Sequence, residues 1–166
     1  MATRDNLQEA FAGESQANRK YLAFAKKADA EGHGQIAKLF RAAAAAETVH
    51  AHAHLRALKG VKTTAENLQE AVTGEEFEFK NMYPGFIEEA EKEADKTALL
   101  SFKNAMAVEQ VHYSLYLSAL EKLKKGEDFQ ETKIYVCNVC GNTVLGEVPD
   151  KCPVCNAGKQ AFEEIA

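Results

Sequence analysis

The sequence predicts a mainly α-helical protein in which a four-helix bundle is followed by a small β domain held together by a metal. Two observations lead to this fold class. Four successive segments repeat apolar residues at i, i+3, i+4 and i+7, the spacing of amphipathic helices, and short connections join them. All four cysteines follow residue 136, in two close pairs, where the composition also changes.

Length and composition are those of an ordinary soluble globular protein. The 166 residues are 46% apolar and 27% charged, which is enough for one good core and a small appendage. Because there is no long apolar run and no signal-peptide pattern, we expect a cytoplasmic location and no membrane contact. The net charge of −5 and the lack of a basic stripe argue against nucleic acid as a partner.

The first two helices are predicted at residues 3–31 and 35–59, each ending at glycine, which terminates helices at little energetic cost. The third is predicted at residues 65–95 after the candidate N-cap residues Thr63 and Thr64. Pro84 lies inside it, so we expect a kink near Tyr83. The fourth ends in the basic residues before Gly126, which suit a helix C-terminus.

A change of composition after Gly126 predicts two domains, residues 1–130 and 131–166, with a linker at 126–131. The second domain has short strand patterns at 133–136 and 143–145, each next to a cysteine turn. So short a chain cannot bury enough apolar surface to fold without a staple, and we expect the four cysteines to supply it.

Carboxylates and histidines interrupt the apolar stripes in a repeated order. Glu14 precedes the Glu-x-x-His pair Glu47/His50 by 33 residues, and Glu75 precedes the pair Glu109/His112 by 34. One such pair is usually two unrelated surface residues, but six residues in a repeated order on buried stripes are not. Two glutamates plus two Glu-x-x-His pairs are the ligand set of a di-iron or di-manganese carboxylate bundle.

Two further residues lie on the same faces. Glu78, one turn after Glu75, is either a seventh ligand or a residue at the edge of the bundle. Tyr21, two turns after Glu14, either fills the core or donates its hydroxyl to a metal-bound carboxylate, and we favour the second role.

The cysteine pairs Cys137/Cys140 and Cys152/Cys155 are separated by 11 residues. Two Cys-x-x-Cys turns at this distance predict a tetrahedral four-sulfur site, without deciding between zinc and a single iron. Zinc would only stabilise the fold, whereas iron would carry one electron.

The chain resembles the rubrerythrin family over essentially its whole length. The resemblance rests on Phe11-Ala12-Gly13-Glu14-Ser15-Gln16-Ala17, on the two Glu-x-x-His pairs, on Gly74-Glu75-x-x-Glu78 with Met82-Tyr83-Pro84, and on Tyr135-Val136-Cys137-x-x-Cys140-Gly141 with Cys152-Pro153-x-Cys155. It implies a ferritin-like bundle followed by a rubredoxin-like domain. It also implies that Glu14, Glu47, Glu75, Glu78, Glu109 and His112 bind two irons, that His50 replaces Glu78 when the irons are reduced, and that the four cysteines bind a third iron.

The function that the resemblance implies is a hydrogen peroxide reductase that protects against oxidative stress. Electrons would pass from the four-cysteine iron to the iron pair, supplied by a rubredoxin or an NAD(P)H-dependent reductase. The chain itself carries no Gly-x-Gly-x-x-Gly nucleotide motif. The alternatives are a ferroxidase that stores iron and a zinc-loaded structural protein.

The connection at residues 60–64 bears on assembly. If helices two and three run parallel in one bundle, the chain must travel back ~33 Å along the bundle from the end of helix two to the start of helix three. Six steps from Lys59 to Ala65 span at most ~22 Å. Either the four helices form an up-down-up-down series within one chain, or helices three and four exchange between two chains. The repeated ligand order favours the second arrangement, a domain-swapped homodimer or a higher oligomer.

Overall fold

The computed structural model describes residues 2–128 and 131–166, which form two compact units that divide between Lys62 and Thr63. The first unit contains two helices, α1 and α2. The second contains three helices, a π-helical segment and a small sheet. The elements are α1 Thr3–Ala30, α2 Gly34–Ala57, α3 Thr64–Phe77, the π segment Glu78–Met82, α4 Tyr83–Lys92, α5 Lys96–Lys124, β1 Ile134–Cys137, β2 Thr143–Leu145, a 3-10 turn Lys159–Ala161 and β3 Phe162–Ile165.

The first unit is a helical hairpin with a core of small side chains. The residues buried between α1 and α2 are largely alanines, which let the two backbones approach closely; they are Ala25, Ala28, Ala37, Ala44 and Ala51. Phe40 packs against this core. Gly32, at φ +81°, makes the turn between the helices in a backbone conformation that favours glycine. Both helices end within about two residues of their predicted positions.

The predicted third helix is interrupted earlier than expected. Its α-helical part ends at Phe77, and a π-helical segment follows before α4 begins at Tyr83. Here the Tyr83 N–H donates to the Glu78 carbonyl, five residues back. Pro84 has no N–H with which to continue an α-helical ladder, and a π-helical turn is one way in which a helix accommodates this loss. The structure thus has a change of helix type that begins at Glu78, and the kink expected near Tyr83 stays a prediction.

Side chains define the starts of α3 and α5. Thr63 Oγ1 accepts a hydrogen bond from Glu66 N at 3.3 Å, while the Glu66 carboxylate accepts from Thr63 N at 3.1 Å. This reciprocal capping box confirms Thr63 as an N-cap. Asp95 caps α5 by accepting from the backbone N–H groups of Thr97 and Ala98, each at 3.0 Å.

The C-terminal residues form a three-stranded antiparallel sheet in the order β2-β1-β3. Strands β1 and β2 lie where the sequence predicted them, and Val136 pairs with Thr143. The third strand, β3, was not predicted. Two adjacent glutamates interrupt its apolar pattern, and one of them, Glu164, pairs with Lys133 at 2.9 Å on the exposed face of the sheet.

The predicted fold class, a helical protein with a small C-terminal metal-binding sheet, is confirmed. The predicted linker at 126–131 includes Phe129 and Gln130, which lie outside the described residues. None of the helices in residues 2–128 and 131–166 combines the length and apolar composition that a membrane span requires.

Candidate metal centres

The first unit brings Glu14, Glu47 and His50 together. Glu14 comes from α1 and the Glu-x-x-His pair from α2, and one potential ligand atom from each lies within 4.8 Å of the others. His50 Nδ1 is 2.9 Å from Glu47 Oε2 because residues three apart lie on the same helical face. Hydrogen bonds from His50 and then from Glu14 lower the pKa of Glu47. The His50 side chain is 55% exposed, so one side of this group is open to solvent within the chain.

A buried amide fixes the two helices next to this group. Asn18, one turn after Glu14 on α1, is 8% exposed. Its Nδ2 donates to the Ala44 carbonyl at 2.7 Å and to Thr48 Oγ1 at 2.9 Å on α2. Sequence analysis missed this residue, although a lone asparagine in an alanine-rich stripe was a signal for it.

The second unit brings Glu75, Glu109 and His112 together in the same way, with ligand atoms within 4.8 Å of one another. Glu75 comes from α3 and the pair from α5. His112 Nδ1 lies 2.9 Å from Glu109 Oε2 and 3.8 Å from Glu75 Oε1. Here the side chains are less exposed than His50, at 27% for His112 and 17% for Glu109.

Burial and the crowding of carboxylates raise pKa values in this second group. Burial, a hydrogen bond with Glu109 and the charges of Glu109 and Glu78 raise the pKa of Glu75 to about 7. Burial and the charge of Glu109 also raise the pKa of Glu78, against an opposing effect of His112. Burial and the charges of Glu109, Glu78 and Glu75 raise the pKa of the Tyr83 hydroxyl. Repulsion of this kind is relieved when a cation binds between the carboxylates.

The cysteines form a third group, with four sulfur atoms within 4.8 Å of one another. Cys137 Sγ is 3.7 Å from Cys155 Sγ, and Cys140 Sγ is 3.6 Å from Cys152 Sγ. A tetrahedral metal with bonds of ~2.3 Å to sulfur separates its ligands by about 3.8 Å, so these distances fit a metal site without rearrangement.

The thiols differ in their readiness to ionise. Burial raises the pKa of Cys140 and of Cys155. Burial also acts to raise that of Cys152, but hydrogen bonds from the backbone N–H groups of Cys155 and Val154 outweigh it and lower the pKa to about 7. Of these three thiols, Cys152 is therefore the most easily deprotonated for metal binding.

Ten of the predicted site residues thus lie in three groups that could each hold a metal. The two remaining candidates, Glu78 and Tyr21, lie in none of these groups. Glu78 lies in the π segment within the electrostatic reach of Glu109. The Tyr21 ring packs with Phe24 and Phe40 at centroid distances of 6.3 and 6.2 Å. Metal ligation by Glu78 and hydrogen bonding by the Tyr21 hydroxyl stay predictions.

The donor types in these groups fit iron. Each carboxylate group offers two hard oxygen donors and one imidazole, the combination of di-iron carboxylate proteins, and the cysteine group offers four thiolates. Helices that carry a duplicated Glu and Glu-x-x-His set, followed by a four-cysteine sheet, define the class of di-iron carboxylate proteins with a rubredoxin-like domain.

Comparison with known proteins identifies the family. The Rubrerythrin family model matches residues 5–120, and the model of the rubredoxin-like domain of rubrerythrin matches residues 135–163. The chain belongs to the rubrerythrin family. It is accordingly an oxidoreductase with a di-iron carboxylate site, for which the two Glu/Glu/His groups supply ligands, and with a four-cysteine rubredoxin-like site.

Individual relatives agree with this assignment. Rubrerythrin-2 of Clostridium acetobutylicum is 34% identical, with 97% of this chain and 95% of the relative covered. Nigerythrin of Nitratidesulfovibrio vulgaris is 35% identical, with 97% of this chain and 85% of the relative covered. A solved structure of nigerythrin in a partially reduced state matches 99% of this chain and 87% of its own, with 34% identity and a TM-score of 0.59.

Proposed function

We propose that this protein reduces hydrogen peroxide to water, as H2O2 + 2 electrons + 2 protons → 2 H2O. The observation that carries the proposal is the presence of two Glu/Glu/His groups and a four-cysteine site in one chain. The first two provide ligands for a metal pair that can supply two electrons together. The third provides a one-electron centre to replenish them.

The residues of the chain have distinct tasks in this reaction. When bound, the iron pair supplies the two electrons, and the carboxylates of Glu14, Glu47, Glu75 and Glu109 hold it. The imidazoles of His50 and His112 would supply nitrogen ligands to the pair. Glu78 is proposed as a further ligand that exchanges with His50 on reduction. Because burial and the charge of Glu109 raise its pKa, Glu78 holds a proton more readily than an ordinary carboxyl group and suits proton delivery when it is not bound.

Electrons would come from outside the chain, from a rubredoxin or an NAD(P)H-dependent reductase, and enter through an iron held by the four cysteines. The position of the small sheet supports this route. A methyl group placed on Gly141, next to Cys140, would lie 3.8 Å from Val108 on α5, one turn before His112. From the sequence patterning, we place the reaction in the cytoplasm.

The decisive experiment is anaerobic reduction of the iron-loaded protein followed by one pulse of peroxide in a stopped-flow spectrometer. We expect both iron centres to be reoxidised much faster by peroxide than by an equal concentration of oxygen. Equal rates with the two oxidants, or no reoxidation, would refute peroxide reduction. A large iron load per chain would instead support storage, and a colourless protein as purified from cells would support a zinc protein.

A matched variant separates the two centres. Cys140→Ser removes one thiolate of the small domain and no ligand of the iron pair. With iron added in sufficient excess to fill the carboxylate site, we expect the reduced pair in this variant still to be oxidised by peroxide, while steady-state turnover with NADH and an added reductase is lost. Normal turnover of the variant would show that electrons bypass the four-cysteine site.

We also propose that two chains exchange their units to complete each di-iron site. The connection is short: Gly60 N donates back to the Leu55 carbonyl at 2.9 Å, which leaves residues 61–63 before α3 begins at Thr64. Four steps from Gly60 to Thr64 span at most ~14 Å. The bond to Leu55 brings Gly60 back to a level eight residues past Glu47, and Thr64 lies 11 residues before Glu75. If α2 and α3 ran parallel in one bundle, the chain would have to travel back ~29 Å along the bundle axis between these two points.

Exposed apolar side chains also support a second copy as the partner. Large apolar residues on helices of both units are more than half exposed within one chain; they are Leu39, Val49, Phe77 and Leu100. Surfaces of this kind are usual at protein interfaces. The duplication of the ligand groups makes a two-fold dimer the simplest assembly in which each site receives both groups.

Mixing two inactive variants tests the exchange. One chain carries Glu47→Ala with His50→Ala, and the other carries Glu109→Ala with His112→Ala. Neither should bind an iron pair alone. If units are exchanged, refolding an equal mixture forms mixed dimers with one intact site, and recovers about a quarter of the wild-type iron pairs. A mixture that recovers none, although mixed dimers form, would show that each chain completes its own site.

A further inference from the structure

The di-iron ligand His112 has a partner outside the helices. Its Nδ1 faces the carboxylates of Glu109 and Glu75, whereas its Nε2 lies 3.1 Å from Oγ1 of Thr143, the first residue of β2. The two ring nitrogens thus have different environments. One faces the side where a metal would bind, and the other faces the rubredoxin-like domain.

The hydrogen bonding of Thr143 determines which nitrogen carries a proton. A threonine hydroxyl has one hydrogen to donate and two lone pairs that accept. Thr143 Oγ1 donates to the Gly141 carbonyl at 3.3 Å. Its lone pairs therefore remain to accept from His112 Nε2–H, which leaves the lone pair of Nδ1 on the carboxylate side, where it can bind a metal.

The cysteine turn places Thr143. Within this turn, Gly141 N donates to the Cys137 carbonyl at 2.8 Å, and Cys137 N donates to the Asn142 carbonyl at 2.9 Å. Gly141 has φ +86°, a conformation that favours glycine, and a methyl group on it would lie 3.8 Å from Val108 of α5. Val108 and His112 lie one helical turn apart, so the turn and the strand contact the same face of α5.

We infer that Thr143 is a positioning residue for the di-iron site, which orients the His112 ring from the rubredoxin-like domain of the same chain by accepting its Nε2–H. The inference rests on the metal-binding part of the proposed function and not on peroxide reduction. A metal-bound histidine is oriented by the acceptor of its other N–H, and loss of such an acceptor weakens metal binding by typically 10–100-fold. The fold of the cysteine site thereby affects metal binding by the carboxylates.

The test uses zinc as a diamagnetic probe of the full-length protein and nitrogen-15 NMR of the histidine side chains. In the zinc-loaded wild type we expect the His112 Nδ1 resonance to have the shift of a metal-bound nitrogen. Its Nε2–H should exchange slowly with water. His50, which makes the same Nδ1 contact with Glu47, serves as the internal reference. A spectrum with His112 bound through Nε2 would overturn the inference.

Three variants complete the test. Thr143→Val keeps the shape but removes the hydroxyl, and should speed exchange of the Nε2–H and weaken zinc binding at the carboxylate site about 10–100-fold. Thr143→Ser should restore both properties. Thr132→Val removes an exposed hydroxyl from the same domain and should change neither.

The spectrum of the four-cysteine site, with cobalt in place of zinc, reports whether the small domain stays folded in each variant. If Thr143→Val keeps wild-type exchange and affinity, or if Thr132→Val lowers affinity equally, the inference is wrong. If Thr143→Ser fails to restore binding, the hydroxyl is not the cause and the inference is also wrong. Absence of peroxide turnover would leave these outcomes unaffected, so the inference and the proposed function fail separately.

Discussion

Glu75 is the carboxylate of the candidate metal groups whose pKa is raised most clearly by its surroundings. Burial, a hydrogen bond shared with Glu109 and the charges of Glu109 and Glu78 raise the pKa of its carboxyl group to about 7. In the metal-free protein, a proton on Glu75 therefore relieves repulsion that a cation relieves in the loaded protein.

The raised pKa of Glu75 predicts how the metal-free protein responds to pH. A carboxyl group whose pKa is higher in the folded chain stabilises the fold fully below its ordinary pKa of 4.5, and this stabilisation is lost as the pH rises towards about 7. We expect the melting temperature of chelator-treated protein to fall across this window. Metal affinity should rise over the same range, because the metal competes with the proton.

The variant Glu75→Gln supplies the control for this pH dependence, because the amide cannot ionise. Thermal unfolding followed by circular dichroism should show a flatter dependence on pH between 4.5 and about 7 for the variant. If wild type and variant respond equally to pH, another group is responsible for the dependence.

The residues of the three candidate metal groups could be predicted from the sequence, whereas the residues that hold them in place mostly could not. Glu109 and His112 meet because the helical period alone places residues three apart on one face. Asn18 and Thr143 act across 26 and 31 residues of chain, respectively. Such contacts depend on how helices and sheet pack, which periodicity in one segment does not encode.

Among the helices, the π segment shows that the effect of proline on a helix was only partly predictable from the sequence. Pro84 predicted a kink near Tyr83, whereas the structure has a π-helical segment over the residues that precede the proline. The segment includes Glu78, a proposed ligand. A π-helical turn changes the direction of side chains relative to an α-helix and is frequent at functional sites.

In the sheet, two strands were predicted from the sequence and a third was not. Strand β2 matched its prediction because a compact apolar run follows a cysteine turn. Strand β3 was missed because its central glutamates make it look like a loop, and its pairing with β1, such as Cys137 opposite Phe162, is set by contacts across the sheet. Strand propensity depends strongly on such neighbours.

The N-terminus of α3 offers a prediction at this scale. Thr63→Ala removes the hydroxyl that accepts from Glu66 N, and so leaves a helix N–H without its partner. We expect a loss of about 1 kcal/mol in the free energy of unfolding, measured by urea denaturation. Thr63→Ser should retain most of the stability.

Thr64→Ala is the matched control for Thr63→Ala, because Thr64 is the neighbouring residue, also exposed, and lies inside the helix. It should change stability by a few tenths of a kcal/mol at most. Equal losses at the two positions would show that the capping box does not stabilise α3.

At the scale of the whole molecule, the chain combines two sources of stability. The helices bury alanine and branched apolar side chains, such as Ala37 and Val108. In the small domain, two of the most buried residues are instead the metal-binding Cys137 and Cys152, 1% and 2% exposed. We expect a domain of this size, with so little apolar core, to depend on metal binding by its cysteines for its fold.

Removal of metal should therefore unfold the two parts to different extents. Treatment with a strong chelator, or the variant Cys140→Ser, should abolish amide-exchange protection in β1, β2 and β3, while far-UV circular dichroism retains most of its helical signal. Because Thr143 begins β2 and contacts His112, loss of the sheet should also speed exchange of the His112 Nε2–H. Refilling the cysteine site with zinc should restore both signals in the wild type but not in the variant. If the sheet keeps its protection without metal, its apolar contacts are sufficient, and the four cysteines have a redox role alone.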